Sequence, residues 1–189
     1  MRKKDNPPAA PLVGTAIARR VALFPQPNDG TRTVSAPPLF HIVLVQPEIP
    51  QNAGNIGRTC VALGAKLWLV RPLGFRLDQR QLRRAGLDYW QHLDWEAVDD
   101  WTALCQRMPG ASPWLFTKTA RQTYTAAAFR PGDLLVFGSE TQGLPASLLQ
   151  SNAERCLRIP MRPEARSLNL ACSVALAAYE AARQVGGLP

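Results

Sequence analysis

The chain of 189 residues holds only four cysteines and two histidines, and neither type is clustered. Cys60, Cys105, Cys156 and Cys172 lie 16 to 51 residues apart without a CxxC pair, and His41 and His92 are not near them. A clustered zinc motif is therefore absent, and the pattern suits a reduced, cytoplasmic setting better than a disulfide scaffold. Long hydrophobic runs are missing too. The longest mostly apolar stretch, residues 39–45, is broken by His41 and falls far short of the roughly 20 apolar residues that cross a bilayer. Also lacking are the GxGxxG of dinucleotide enzymes, the GxxxxGK[ST] of nucleoside triphosphatases and the GxSxG of nucleophile-elbow hydrolases. Each absence removes the main support for the corresponding activity.

What remains is a basic chain of about one domain. Its 46% hydrophobic content is enough for one well-filled core. The net charge of +8 favours a polyanionic partner, because neutralised phosphates release counterions. Half of that excess sits in residues 1–38, which carry seven prolines and no sustained apolar period. This segment reads as a flexible tail, either an RNA-contacting arm or an unselected extension. Pro7, Pro8 and Pro11 interrupt any apolar core of a signal peptide behind Arg2, Lys3 and Lys4, so export is not expected.

From residue 39 to 189 the pattern predicts one α/β domain. Residues 40–46, 66–71, 114–118, 133–138 and 156–161 read as strands, four of them mostly apolar on both faces, as in a buried parallel sheet. Residues 52–63, closed by Gly64, then 97–107 and 168–185 read as helices, expected on both faces of the sheet. Ser167 is the expected N-cap of the last one.

Three polar, glycine-bearing segments fall at strand ends, where open α/β sheets bind ligands. The first reads NxGNxxR (residues 52–58), the second FGSETQGLP (137–145) and the third RIPMRPEARSLNL (158–170). Asn52, Gly54 and Asn55 suit a strand-to-helix turn with free N–H groups for a phosphate, and Arg58, about one turn into the helix, could fork onto the same phosphate. A missing Cβ at Gly138 would let a cofactor approach the backbone, and Glu140 could accept bonds from loop N–H groups. Arg80, Arg83 and Arg84, followed by Tyr89 and Trp90, mix cations with aromatics as single-stranded RNA sites do, although a solvated helix face would read the same. Arg121, Arg162 and Arg166 are further phosphate candidates.

In this order the three segments resemble the signature motifs of the SpoU branch of the SPOUT methyltransferases, over about 150 residues. Within the branch the stretches VQPEIPQNAGNIGRTC and RPLGFRLDQRQLRRAGLDYW are most similar to the TrmL (YibK-like) subfamily, which methylates the 2′-oxygen of cytidine or uridine 34 in tRNA. The resemblance implies a parallel-sheet SPOUT fold with a C-terminal trefoil knot, a homodimer, S-adenosylmethionine (SAM) as cofactor without a metal, and the anticodon stem-loop of tRNA, leucine isoacceptors foremost, as partner. It further implies a catalytic set of Arg58, Asn52, Glu140, Ser167 and Asn169. The implied SAM site is Phe116, Gly138, Ile159, Ser167 and Leu168, with Phe116 standing where relatives often have a smaller aliphatic residue. Arg80, Arg83, Arg84 and Tyr179 would meet tRNA. Family proposals make the motif-one arginine, here Arg58, a general base. A guanidinium is too weak an acid to supply a neutral base readily, which favours stabilisation of the developing alkoxide instead. Competing readings are 2′-O-methylation of another tRNA or rRNA nucleotide, and an RNA-binding module without catalysis.

Overall fold

The protein is described by a computed structural model covering residues 37–76 and 88–188. The expected tail, apart from Pro37 and Pro38, lies outside the described residues, as do Arg80, Arg83, Arg84 and the side chain of Tyr89.

Among the described residues seven strands form one sheet in which every pairing is parallel: β1 (His41–Val45), β2 (Lys66–Val70), β3 (Trp95–Val98), β4 (Pro113–Phe116), β5 (Gln122–Thr123), β6 (Leu134–Phe137) and β7 (Cys156–Arg158). Their order across the sheet is β3-β2-β1-β6-β4-β7-β5. Among the described residues the α-helices are α1 (Pro50–Leu63), α2 (Trp101–Arg107), α3 (Ala146–Ser151) and α4 (Leu170–Gln184).

The central strands are apolar on both faces because both faces are covered. In β1, Ile42 and Leu44 point into a core shared with Ile56 and Cys60 of α1 and with Val174, Ala177 and Ala181 of α4. Val43 and Val45 point the other way, toward Leu104 of α2 and Leu148 of α3. Small residues on both partners, such as Ala53 and Ala178, let α1 and α4 pack directly against one another. Full burial of a side chain such as Ile42 or Leu44 stabilises by about 2 kcal/mol, and β1 sits at the centre of both cores.

Differences from the sequence reading lie mainly at edges and ends. All five expected strands form, each shorter than read. The helix expected over residues 97–107 starts later: Ala97 and Val98 belong to β3, and Asp100 caps α2 by accepting from Ala103 N at 2.7 Å. The two strands not anticipated, β3 and β5, are outer strands with half-buried residues and weak periodicity. Helix α4 begins at Leu170, not 168, and its N-cap is Asn169, whose Oδ1 accepts from Ala171 N at 2.9 Å and Cys172 N at 3.3 Å. Ser167 is left in the preceding loop, a correction to its expected capping role. Gly64 does close α1, at a left-handed φ of 64°.

One buried titratable group makes stability depend on pH. His41 is 7% exposed, and its Nδ1 accepts a hydrogen bond from Trp68 Nε1 at 3.1 Å. Burial, reinforced by the Lys66 ammonium and opposed by Asp94, holds its pKa below the ordinary 6.5. As pH falls below that value the unfolded chain takes up a proton that the folded chain still resists. The stabilisation is therefore complete above about pH 6.5 and is lost as pH drops toward the lower folded value. Urea midpoints measured from pH 7.5 to 5 should fall, and more shallowly for His41→Gln, which keeps an acceptor for Trp68 but has no titrating ring. Equal slopes for the two proteins would contradict the assignment.

Candidate active site

Because all strands run the same way, the loops leaving their C-terminal ends gather at one end of the sheet. The segments after β1, β4, β6 and β7, together with the start of α4, line a cleft of about 680 Å³. That volume is in the range of small-molecule sites.

A carboxylate holds the polar wall together. Glu140, on the loop after β6, accepts from Glu48 N at 2.8 Å, Ile49 N at 3.2 Å and Asn52 Nδ2 at 2.8 Å. Helix α1 starts at Ile49 without a side-chain cap from its own segment, so the distant Glu140 meets the partial positive charge there. Asn52 turns its other amide atom outward, its Oδ1 accepting from Asn169 Nδ2 at 2.9 Å. Glu48 is itself tied to the loop, accepting from Thr141 Oγ1 at 2.7 Å. Glu140, Asn52 and Asn169 thus join all three sequence motifs in one chain of hydrogen bonds.

This arrangement corrects the reading of the first motif. Asn52, Gly54 and Asn55 lie inside α1, not in a turn, and Glu140 takes the N–H groups of Glu48 and Ile49 that precede the helix. The protein's own carboxylate stands where a phosphate was expected. Arg58 lies more than two turns into α1, on the exposed side with Gln51 and Asn55, and is not among the residues lining the cleft.

The second motif is a tight hairpin-like loop. Ser139 and Gly143 exchange backbone hydrogen bonds of 3.2 and 2.9 Å, and Gly143 adopts a φ of 71°. A Cβ on Gly138 would stand 2.0 Å from the Gly143 carbonyl carbon and 2.2 Å from Leu144 N. The close approach that requires glycine there is made by the loop itself, not first by a cofactor as the sequence suggested. The cleft's floor is apolar: Phe116 stacks on Phe137 with centroids 4.5 Å apart and planes at 12°.

Phe116, Gly138, Ile159, Ser167 and Leu168 all line this one cleft, with Asn52, Glu140 and Asn169. Arg58 and Tyr179 do not; Tyr179 is 48% exposed on α4. Sequence reasoning missed Ile49, Lys118, Leu144 and Met161, which also line it. For Lys118 a signal existed, a polar Thr-Lys-Thr run directly after an apolar strand. Among the described residues no group of three His, Cys, Asp or Glu side chains is placed to hold a metal ion, and no helix is long and apolar enough to cross a membrane.

The family model for the SpoU rRNA Methylase family matches residues 39–179, the span that contains every strand and the whole cleft. This chain belongs to the SpoU methylase family. A tRNA (cytidine(34)-2′-O)-methyltransferase of Methylovorus glucosotrophus is 46% identical to it over 147 residues, covering 77% of this chain and 96% of the relative. A solved structure concerned with 2-OH methylation of C/U34 on tRNA superimposes with a TM-score of 0.75 at 49% identity, over 80% of this chain and 99% of the other. An AdoMet-bound rRNA methyltransferase of Sinorhizobium meliloti gives a TM-score of 0.67 at 26% identity, over 76% of this chain and 56% of the other. The SpoU assignment and the parallel α/β architecture thus agree with the resemblance carried by the three motifs.

Proposed function

We propose that this SpoU methylase transfers the methyl group of SAM to the ribose 2′-oxygen of nucleotide 34 of tRNA. The observation that carries the reading is the convergence of the three motifs on one cleft whose wall includes all five residues expected to hold the cofactor. The names of its relatives supply the nucleotide.

The cleft suits SAM chemically. The stacked Phe116 and Phe137 with Ile159 and Leu168 offer an apolar bed for adenine, while the backbone of the 138–144 loop offers polar groups. When bound, SAM supplies an electrophilic methyl group on a sulfonium. The chain's part is then to position the 2′-oxygen in line with that group and to offset the charge developing on it. Asn52, bonded to both Glu140 and Asn169, and Asn169 itself would orient the sugar, with Ser167 also on the cleft wall. Arg58 acts from the RNA side as an electrostatic stabiliser, its planar guanidinium offering a fork of donors to the developing negative charge.

Arg58 does not line its own cleft, and the outer side of α4 exposes Leu176 and Tyr179. We therefore assign the working unit to a homodimer in which Arg58 and Tyr179, with Arg80, Arg83 and Arg84, serve the tRNA bound at the partner's cleft. A C-terminal trefoil knot belongs to the same reading; its support is that loops after two strands flanking β4 meet in the cleft. The setting is cytoplasmic, where anticodon stem-loops, leucine isoacceptors foremost, are the substrates.

Incubation with methyl-labelled SAM and bulk tRNA or rRNA, followed by nucleoside analysis, is expected to yield 2′-O-methylated nucleoside at position 34 of tRNA only, undiminished by EDTA. Label in a base or in rRNA would refute the assignment.

A further inference from the structure

The cleft wall carries three formally charged side chains, Lys118, Glu140 and Arg166. They differ in what they already hold. Both oxygens of Glu140 are engaged by Glu48 N, Ile49 N and Asn52 Nδ2. Lys118 and Arg166 are exposed, and neither side chain has a hydrogen bond or ion pair among the described residues. They come from loops that follow neighbouring strands. Lys118 stands two residues beyond β4, and Arg166 lies on the segment leading from β7 to α4. The two strand ends are tied by Thr117 N donating to Leu157 O at 2.9 Å. The anionic Glu140 is therefore satisfied by the protein's own donors, whereas the two cations are open.

That asymmetry does not match the cofactor alone. At neutral pH SAM carries a sulfonium, an ammonium and a carboxylate, a net positive charge. Its one carboxylate neutralises the charge of only one cation, so two cations beside the cofactor leave an uncompensated positive charge. The chemistry that uses both is a run of phosphodiesters, one negative charge per nucleotide, met by a compact ammonium and a forked guanidinium.

We propose that Lys118 and Arg166 form a phosphodiester subsite at the mouth of the cleft, gripping the RNA backbone on either side of the ribose to be methylated. The proposal rests on the reading of the cleft as an RNA methylation site, and it assigns substrate contacts to residues outside the expected basic cluster.

The test measures binding of a labelled anticodon stem-loop RNA by fluorescence anisotropy across a salt series, and SAM binding by calorimetry, with the full chain. Removing one cation that neutralises a phosphate of a single strand should flatten the dependence of log K on log salt by about 0.7 to 1. Lys118→Gln and Arg166→Gln are each expected to weaken RNA binding several-fold and flatten that slope, while SAM affinity stays within twofold of wild type. Lys118→Arg should retain the wild-type slope. RNA with uncharged methylphosphonate linkages flanking nucleotide 34 should bind wild type more weakly, yet cost the Lys118→Gln/Arg166→Gln protein nothing further. An unchanged salt slope in both Gln variants, a matching loss of SAM affinity, or full sensitivity of the double variant to methylphosphonate would overturn the subsite. Wild-type protein that binds RNA with this slope but methylates none would refute the proposed function while leaving the subsite standing.

Discussion

Gly138→Ala is expected to weaken cofactor binding strongly while the sheet remains folded. The added methyl would sit 2.0 Å from the Gly143 carbonyl carbon and 2.2 Å from Leu144 N, both backbone atoms that cannot rotate away. The loop must then move, and with it Glu140, Leu144 and the wall they form. Overpacking of this kind costs about 1–3 kcal/mol, and where the bound loop conformation carries that cost SAM affinity should fall by up to roughly a hundredfold. Gly143→Ala provides the contrast. Its φ of 71° costs an alanine about 1–2 kcal/mol, yet its Cβ would meet nothing within 4 Å. Calorimetry should show SAM binding retained in Gly143→Ala and strongly weakened in Gly138→Ala, with far-UV dichroism preserved in both. Comparable SAM affinity in the two would mean that the loop is not a rigid part of the site.

The second large effect is separation of turnover from cofactor affinity at Arg58. Arg58→Ala should lower methyl transfer by about a hundredfold to a thousandfold, the usual cost of removing one preorganised stabiliser of developing negative charge. SAM affinity should stay within a few-fold, because Arg58 is absent from the cleft wall. Arg58→Lys should recover little, since an ammonium cannot reproduce the planar fork. A fall in SAM affinity matching the fall in turnover would place Arg58 on the cofactor instead. The two variants also test assembly. If Arg58 serves the partner's cleft, mixing Gly138→Ala and Arg58→Ala subunits should restore about a quarter of wild-type activity, the share expected when half of the dimers are hybrids with one working site. If arginine and cleft belong to one subunit, the mixture stays inactive.

How much of this could be read from the sequence depends on how local the cause is. The inner strands were legible because a parallel strand covered on both faces must be mostly apolar, as in residues 42–45 of β1 and Leu134–Phe137. Strands β3 and β5 were not, because an outer strand such as Gln122–Thr123 needs little apolar pattern. The cap of α4 was misplaced by two residues for a similar reason. Ser167 and Asn169 are both good capping residues, and what accompanies the choice of Asn169 is its bond to Asn52, 117 residues away. The residues expected to hold the cofactor line one cleft because motif order brings them to neighbouring strand ends. Their physical roles were less visible. Nothing near Glu140 in sequence indicates that its carboxylate finishes a helix 88 to 92 residues earlier.

Those long separations also bear on synthesis. Strand β1 and helix α1 leave the ribosome early, but the groups that complete the start of α1 do not exist until Glu140 has been translated, and Asn52 meets its second partner only when Asn169 emerges. Contacts this distant in sequence form late, after the loop-closure entropy between them has been met. A nascent chain arrested anywhere before residue 169 can hold part of the apolar core but lacks one wall of the cleft. Completion of the cleft is thereby deferred until Asn169 has emerged.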